Sequence, residues 1–119
     1  MRTTICALLA GSMIIMATPV WASQDDRNGY QQIKQGDLVA AEAIINRERR
    51  LFAGDPDLML NLATVYQRTN RLREARGLYL QILSRPDEQM MIGSDSYASA
   101  HALARAALTR LDGAQITSR

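Results

Sequence analysis

A chain with a single cysteine closes no disulfide within itself, and the one thiol here, Cys6, lies in an apolar stretch at the start of the sequence. Once that stretch is removed, disulfide staples, thiolate metal centres and cysteine nucleophiles are all excluded. Histidine is just as scarce. His101 stands alone, with no second histidine and no close acidic pair at metal-ligand spacing, which is a poor basis for acid–base chemistry. A soft-metal set of Met90, Met91 and His101 can be written down, since thioether and imidazole suit copper, but methionine more often fills gaps in a core. The sequence also lacks a glycine-rich phosphate loop, a serine elbow and a catalytic carboxylate pair. Neither enzyme activity nor a cofactor is expected.

An excess of one charge is missing too. Fourteen basic residues face 12 acidic ones, for a net charge of +2. That is too even for a dedicated nucleic-acid binder, which carries a clustered excess on one face. The arginines gather at Arg47, Arg49 and Arg50 and again at Arg68, Arg71, Arg73 and Arg76, interleaved with Glu48 and Glu74 and with Glu42 nearby. Such clusters read as solvated helix faces with i,i+4 pairing, the alternative being a shallow basic patch for acidic peptides or anionic surfaces.

No apolar run reaches the ~20 residues that span a bilayer. The longest, residues 5–17, follows Arg2 and precedes Thr18-Pro19-Val20-Trp21-Ala22, a breaker and then small residues at the −3 and −1 positions of a cleavage site. This is the layout of a secretory signal peptide, with cleavage expected after Ala22. Removal of 22 of the 119 residues leaves 97, enough for one compact domain, with 13 basic and 12 acidic residues. The other reading keeps residues 1–22 as a membrane anchor.

The remainder alternates between helical pattern and turn signals, without sustained strand-like alternation. Five helices are predicted, over 26–35, 38–52, 57–68, 71–84 and 97–111. Tyr30 and Ile33 share one face of the first. Gly36 ends that helix and Asp37 caps the second, whose stripe is Leu38, Ala41, Ile44, Ile45 and Leu51. Asp55-Pro56-Asp57 is a strong helix start, Asn70 takes the place of Gly36 in the next turn, and Pro86 stops the fourth helix. Residues 87–95 are the least regular, and Ser94, Asp95 or Ser96 is the expected cap of the last helix, which Gly113 ends. Residues 114–119 read as a disordered tail.

Residues 36–45 lie over residues 70–79 at an offset of 34, with a turn residue, leucine two on, alanine five on and bulky residues eight and nine on. That is the period of a helix–turn–helix repeat that stacks into a solenoid built to hold other molecules. Within residues 57–86, Leu62-Ala63, Tyr66, Ala75, Tyr79 and Pro86 stand where tetratricopeptide repeats have their leucine–small pair, tyrosine, small residue, aromatic and proline. The segment resembles that family. Gly29, Gly36-Asp37, Ala41 and Ile45 fit a weaker preceding unit, in which Asn28 and Gln32 depart from the pattern, and Leu103-Ala104 fits the first helix of a third.

The resemblance implies an all-α fold, a short right-handed helix–turn–helix solenoid of about two and a half repeats. It also implies a concave face that grips extended peptides or partner helices. By position, Asn61, Thr64 and Arg68 would line that face, joined by His101 and Arg105 if the last helix docks as a third unit. Asn61 sits where some members hold a peptide backbone or carboxylate, but the lysines that complete such a clamp have no counterparts. The last helix, with Ala104, Ala107, Leu108 and Leu111, is the candidate cap of the stack; left uncovered, the apolar end calls for dimerisation or a larger partner. The expected function is that of a periplasmic or secreted, non-enzymatic adaptor of a bacterial envelope, binding a protein or peptide. The alternative is a membrane-tethered structural subunit of an envelope or secretion assembly.

Overall fold

A computed structural model describes residues 27–117. The expected leader with Cys6, the cleavage site, the start of the first predicted helix at Asp26 and the last two residues of the tail lie outside the described residues. The elements run α1 (Tyr30–Gln35), α2 (Leu38–Arg49), α3 (Pro56–Arg68), α4 (Leu72–Leu83), β1 (Gln89–Met91), β2 (Tyr97–Ser99) and α5 (Ala100–Thr117). The domain is mostly helical, and each helix packs on its neighbours in sequence, with further contacts of α1 with α3 and α3 with α5.

The helix ends follow from turn chemistry. Gly36, at φ 83°, donates its N–H to the Ile33 carbonyl while Asp37 N–H reaches the Gln32 carbonyl. Asn70, at φ 61°, donates to the Gln67 carbonyl while Arg71 N–H reaches the Tyr66 carbonyl. These are the same two bonds of a left-handed helix stop, 34 residues apart. Asp37 then caps α2 by accepting from Ala40 N–H at 3.0 Å, and Asp55 caps α3 by accepting from Asp57 N–H at 2.8 Å.

The core is apolar and centred on α3 and α4. Leu58, Met59, Leu62, Ala63 and Val65 of α3 meet Ala75, Leu78, Tyr79 and Ile82 of α4. Ala41 and Ile45 of α2 extend it on one side, and Ala100, Ala104, Ala107 and Leu111 of α5 on the other. The fully buried Ala63 and Ala75 let helix backbones close up. The last helix, α5, packs on α4, with Leu108 half-buried at its edge and Arg76 paired to Asp112 across the two helices.

Several expectations are corrected. The helix α1 begins only at Tyr30, because Gly29 takes the left-handed conformation at φ 70°. Tyr30 does not share the buried face of Ile33 but is 51% exposed. The helix α2 ends at Arg49, where Leu51 and Phe52 N–H groups both turn back to the Glu48 carbonyl, so Leu51 leaves the apolar stripe for solvent. Tyr97 is not helical: β1 and β2 form an antiparallel hairpin between α4 and α5. Three-residue strands are too short to show alternation. The cap of α5 is not in residues 94–96 either; Ser99 Oγ accepts from Ala102 N–H, and Asp87, across the hairpin, accepts from His101 N–H. Gly113 does not end α5, which runs to Thr117 and takes in four residues of the expected tail.

Candidate functional site

An open groove of about 440 Å³ lies between α3, α5 and the tip of the hairpin. Along α3, Asp57, Leu60, Asn61 and Thr64 recur at helical spacing and turn one stripe toward it. Along α5, Leu103, Ala107 and Arg110 do the same. Met90 to Gly93 form the third wall, and the Tyr79 ring lies at the back. Buried Tyr79, Met90 and Ala107 and half-buried Asn28, Asp57, Asn61 and Thr64 give the groove a mixed apolar and polar lining, with Tyr30, Met91 and Ile92 exposed.

The polar lining is tied together at one end. Asn61 Nδ2 donates to the Asn28 carbonyl at 3.0 Å, and Asn28 Nδ2 donates to Asp57 Oδ2 at 2.7 Å. Burial pushes the Asp57 carboxyl above its ordinary value; the Asn28 hydrogen bond opposes this and the neighbouring Asp55 charge adds to it. Farther along, Thr64 Oγ1 donates to the Leu60 carbonyl and the Tyr79 hydroxyl to Gln67 Oε1 at 2.9 Å. Burial raises the Tyr79 phenol as well, so it stays a neutral donor.

Of the five residues marked out by position, Asn61 and Thr64 line the groove and the other three do not. The Arg68 Nη1 donates to the Ile33 carbonyl at 2.6 Å, closing the C-terminus of α1. His101 Nε2 donates to the Arg85 carbonyl at 2.8 Å, at the start of α5. Arg105 is exposed, and like His101 it lies two positions from Leu103, about 200° around the helix from the groove stripe. The imagined copper set is not assembled: Met90 is buried, the adjacent Met91 is 61% exposed on the other strand face, and His101 is engaged by Arg85. Among the described residues, no three histidine, cysteine or acidic side chains gather as a metal site, and no helix is long and apolar enough to cross a membrane.

Asn28, Asp57, Ile92 and Arg110 belong to the groove without having been singled out. The spacing of Leu103, Ala107 and Arg110 was a readable signal for the α5 stripe. The hairpin wall had none, because it depends on where the chain folds back between α4 and α5.

Compared with known proteins, the chain matches no family model, and neither a curated protein nor a solved structure is significantly similar to it.

Proposed function

We propose that this chain is an exported, non-enzymatic adaptor that holds a peptide segment of a partner protein in the groove between α3, α5 and the hairpin. The observation that carries the reading is the groove itself, lined by apolar and hydrogen-bonding side chains from α1, α3, α4, α5 and the hairpin. The tetratricopeptide-like solenoid is part of the same proposal. It is supported by the two identical helix stops 34 residues apart, by Ala41 and Ala75 both buried at that offset, and by the α1–α3 and α3–α5 contacts. In such a stack alternate helices line one side, which is how α3 and α5 come to share a groove.

The test is a photo-crosslinking residue installed in living cells at Leu103, in the groove, and in parallel at Arg105, on the other side of α5. A protein adduct that forms from position 103 and not from 105 supports the reading. Equal adducts from both, or none from either, would sink it. N-terminal sequencing of the same preparation examines export: a start at Ser23 supports a released adaptor, and Met1 in a membrane fraction turns the reading into a tethered subunit.

A further inference from the structure

Among the described residues, only one edge of β1 is paired. The hairpin register sets Gln89 opposite Ser99, Met90 opposite Ala98 and Met91 opposite Tyr97. Ile92 N–H donates to the Ser96 carbonyl at 2.7 Å and Ala100 N–H to the Glu88 carbonyl at 2.9 Å. Antiparallel pairs exchange hydrogen bonds at alternate positions. Residues 88, 90 and 92 therefore turn their backbone groups toward β2, and Gln89 and Met91 turn theirs away from it. Among the described residues nothing meets Gln89 or Met91 with a backbone hydrogen bond across that outer edge.

Both Gln89 and Met91 border open space. Met90 to Gly93 line the groove already described, and Glu88 to Met90 line a second one, of about 470 Å³, against Asp55 and Pro56. Neither contains a residue of β2. A short exposed strand edge is a template for another strand unless something blocks it, and β1 has neither proline nor lysine to do so.

The groove also carries opposite charges at separate places. Asp57 has an amide partner in Asn28 but no cation, and Arg110 has no carboxylate partner, among the described residues. Asp57 stands on the α3 wall of the groove and Arg110 on the α5 wall. The raised Asp57 carboxyl, half-buried without a countercharge, would be relieved by an arriving cation.

We propose that the free edge of β1 takes up an extended segment of a partner protein as a third strand, with a lysine or arginine beside Asp57 and an aspartate or glutamate beside Arg110. This rests on the reading of the groove as a peptide site and adds the backbone conformation and charge pattern of the peptide. Main-chain bonds to Gln89 and Met91 supply the attachment, and the two charges set the sequence preference.

A phage-displayed library of random seven-residue segments, panned on the protein in its cellular form, supplies the probe. The tightest segment is resynthesised twice, each time with a different alternating set of backbone amides N-methylated. Strand addition uses the amides on one edge only, so one set should weaken binding by about tenfold or more and the other should change it little. Equal losses in both sets, or none, overturn strand addition while leaving a peptide site in place. If no segment binds, or if Leu103→Glu leaves binding intact, the peptide reading of the groove fails first.

On the protein side, Met91→Pro removes the outward N–H of β1 without taking a bond from the β1–β2 ladder. It should weaken the probe about tenfold, with Met91→Ala near the parent. Asp57→Asn and Arg110→Gln should each weaken it about fivefold. Selected segments that lack either a cation or an anion, or indifference to both charge variants, overturn the charge pattern. Should Met91→Pro disturb the hairpin, the two methylated peptides decide the matter with the parent protein.

Discussion

The pair α1–α2 and the pair α3–α4 turn their corners with the same hydrogen bonds and bury very different amounts of side chain. Gly36 and Asn70 stop their helices alike, and Ala41 and Ala75 are both fully buried. Yet α1 and α2 contribute three buried residues to the core, Ile33, Ala41 and Ile45, whereas α3 and α4 contribute nine. The difference comes from position. The α3–α4 pair is covered by α2 on one side and α5 on the other, while Val39, Leu51 and Phe52 of the outer pair and its exit turn remain in solvent. Repeated local signals thus give repeated corners, but burial depends on having neighbours on both sides. Between the pairs sits Arg71, bonded to both oxygens of Glu42 and stacked 3.9 Å over the Tyr66 ring, so one side chain ties α2 to α3.

The comparison breaks most readily at the centre. Leu62→Ala, in the fully buried middle of α3, should lower unfolding stability by about 2–5 kcal/mol in urea titration. A loss below about 1 kcal/mol would mean that α3 is not the hub of the core. Ala75→Leu should overpack the contact between α4 and its neighbours and cost about 1–3 kcal/mol; an unchanged Tm would contradict the register.

The outer pair is sharpened by its glycines. Gly29 has φ 70°, and a Cβ there would lie 2.8 Å from Ile45 Cγ1, whereas Gly36 has φ 83° but meets only the end of Arg68 at 4.0 Å. Gly36→Ala should cost about 1–2 kcal/mol from backbone strain alone, and Gly29→Ala should cost more in the same thermal melts. Equal costs would show that Ile45 yields freely.

The smallest effects are electrostatic and opposite in sign. Asp57 has a carboxyl raised above 3.8, chiefly by burial, so the folded state holds its proton more tightly than the unfolded one. Its contribution to stability falls as pH rises from about that value through the raised one, and Asp57→Asn should remove this fall. Asp87 has a carboxyl lowered below 3.8 by the Ser99 hydroxyl first and the His101 N–H second. Its contribution is present above that value and is lost as pH falls through the lowered one, so Asp87→Asn should lessen the loss of stability in acid. Tm measured against pH for both variants checks the two signs.

Much of the helical frame was legible because it rests on short-range chemistry: Gly36, Asp37, Asp55-Pro56 and Asn70 mark real helix ends. What escaped depends on distant partners. Leu51 looks like a core residue by spacing, but its helix has already ended two residues earlier. Tyr97 looks helical until it is set opposite Met91 in the hairpin. Part of the α3 wall of the groove could be read from Asn61 and Thr64; the α5 wall depends on which side of that helix faces α3, and that side excludes His101 and Arg105.

The neighbour-by-neighbour packing also governs how quickly this domain forms. Helices close on partners a short loop away, and the hairpin joins residues no more than twelve apart. Little loop entropy has to be overcome before contacts begin to reward it, and helical domains of this kind fold in about microseconds to milliseconds. That speed shortens the interval in which its apolar faces and the outer edge of β1 lie open to the wrong partner.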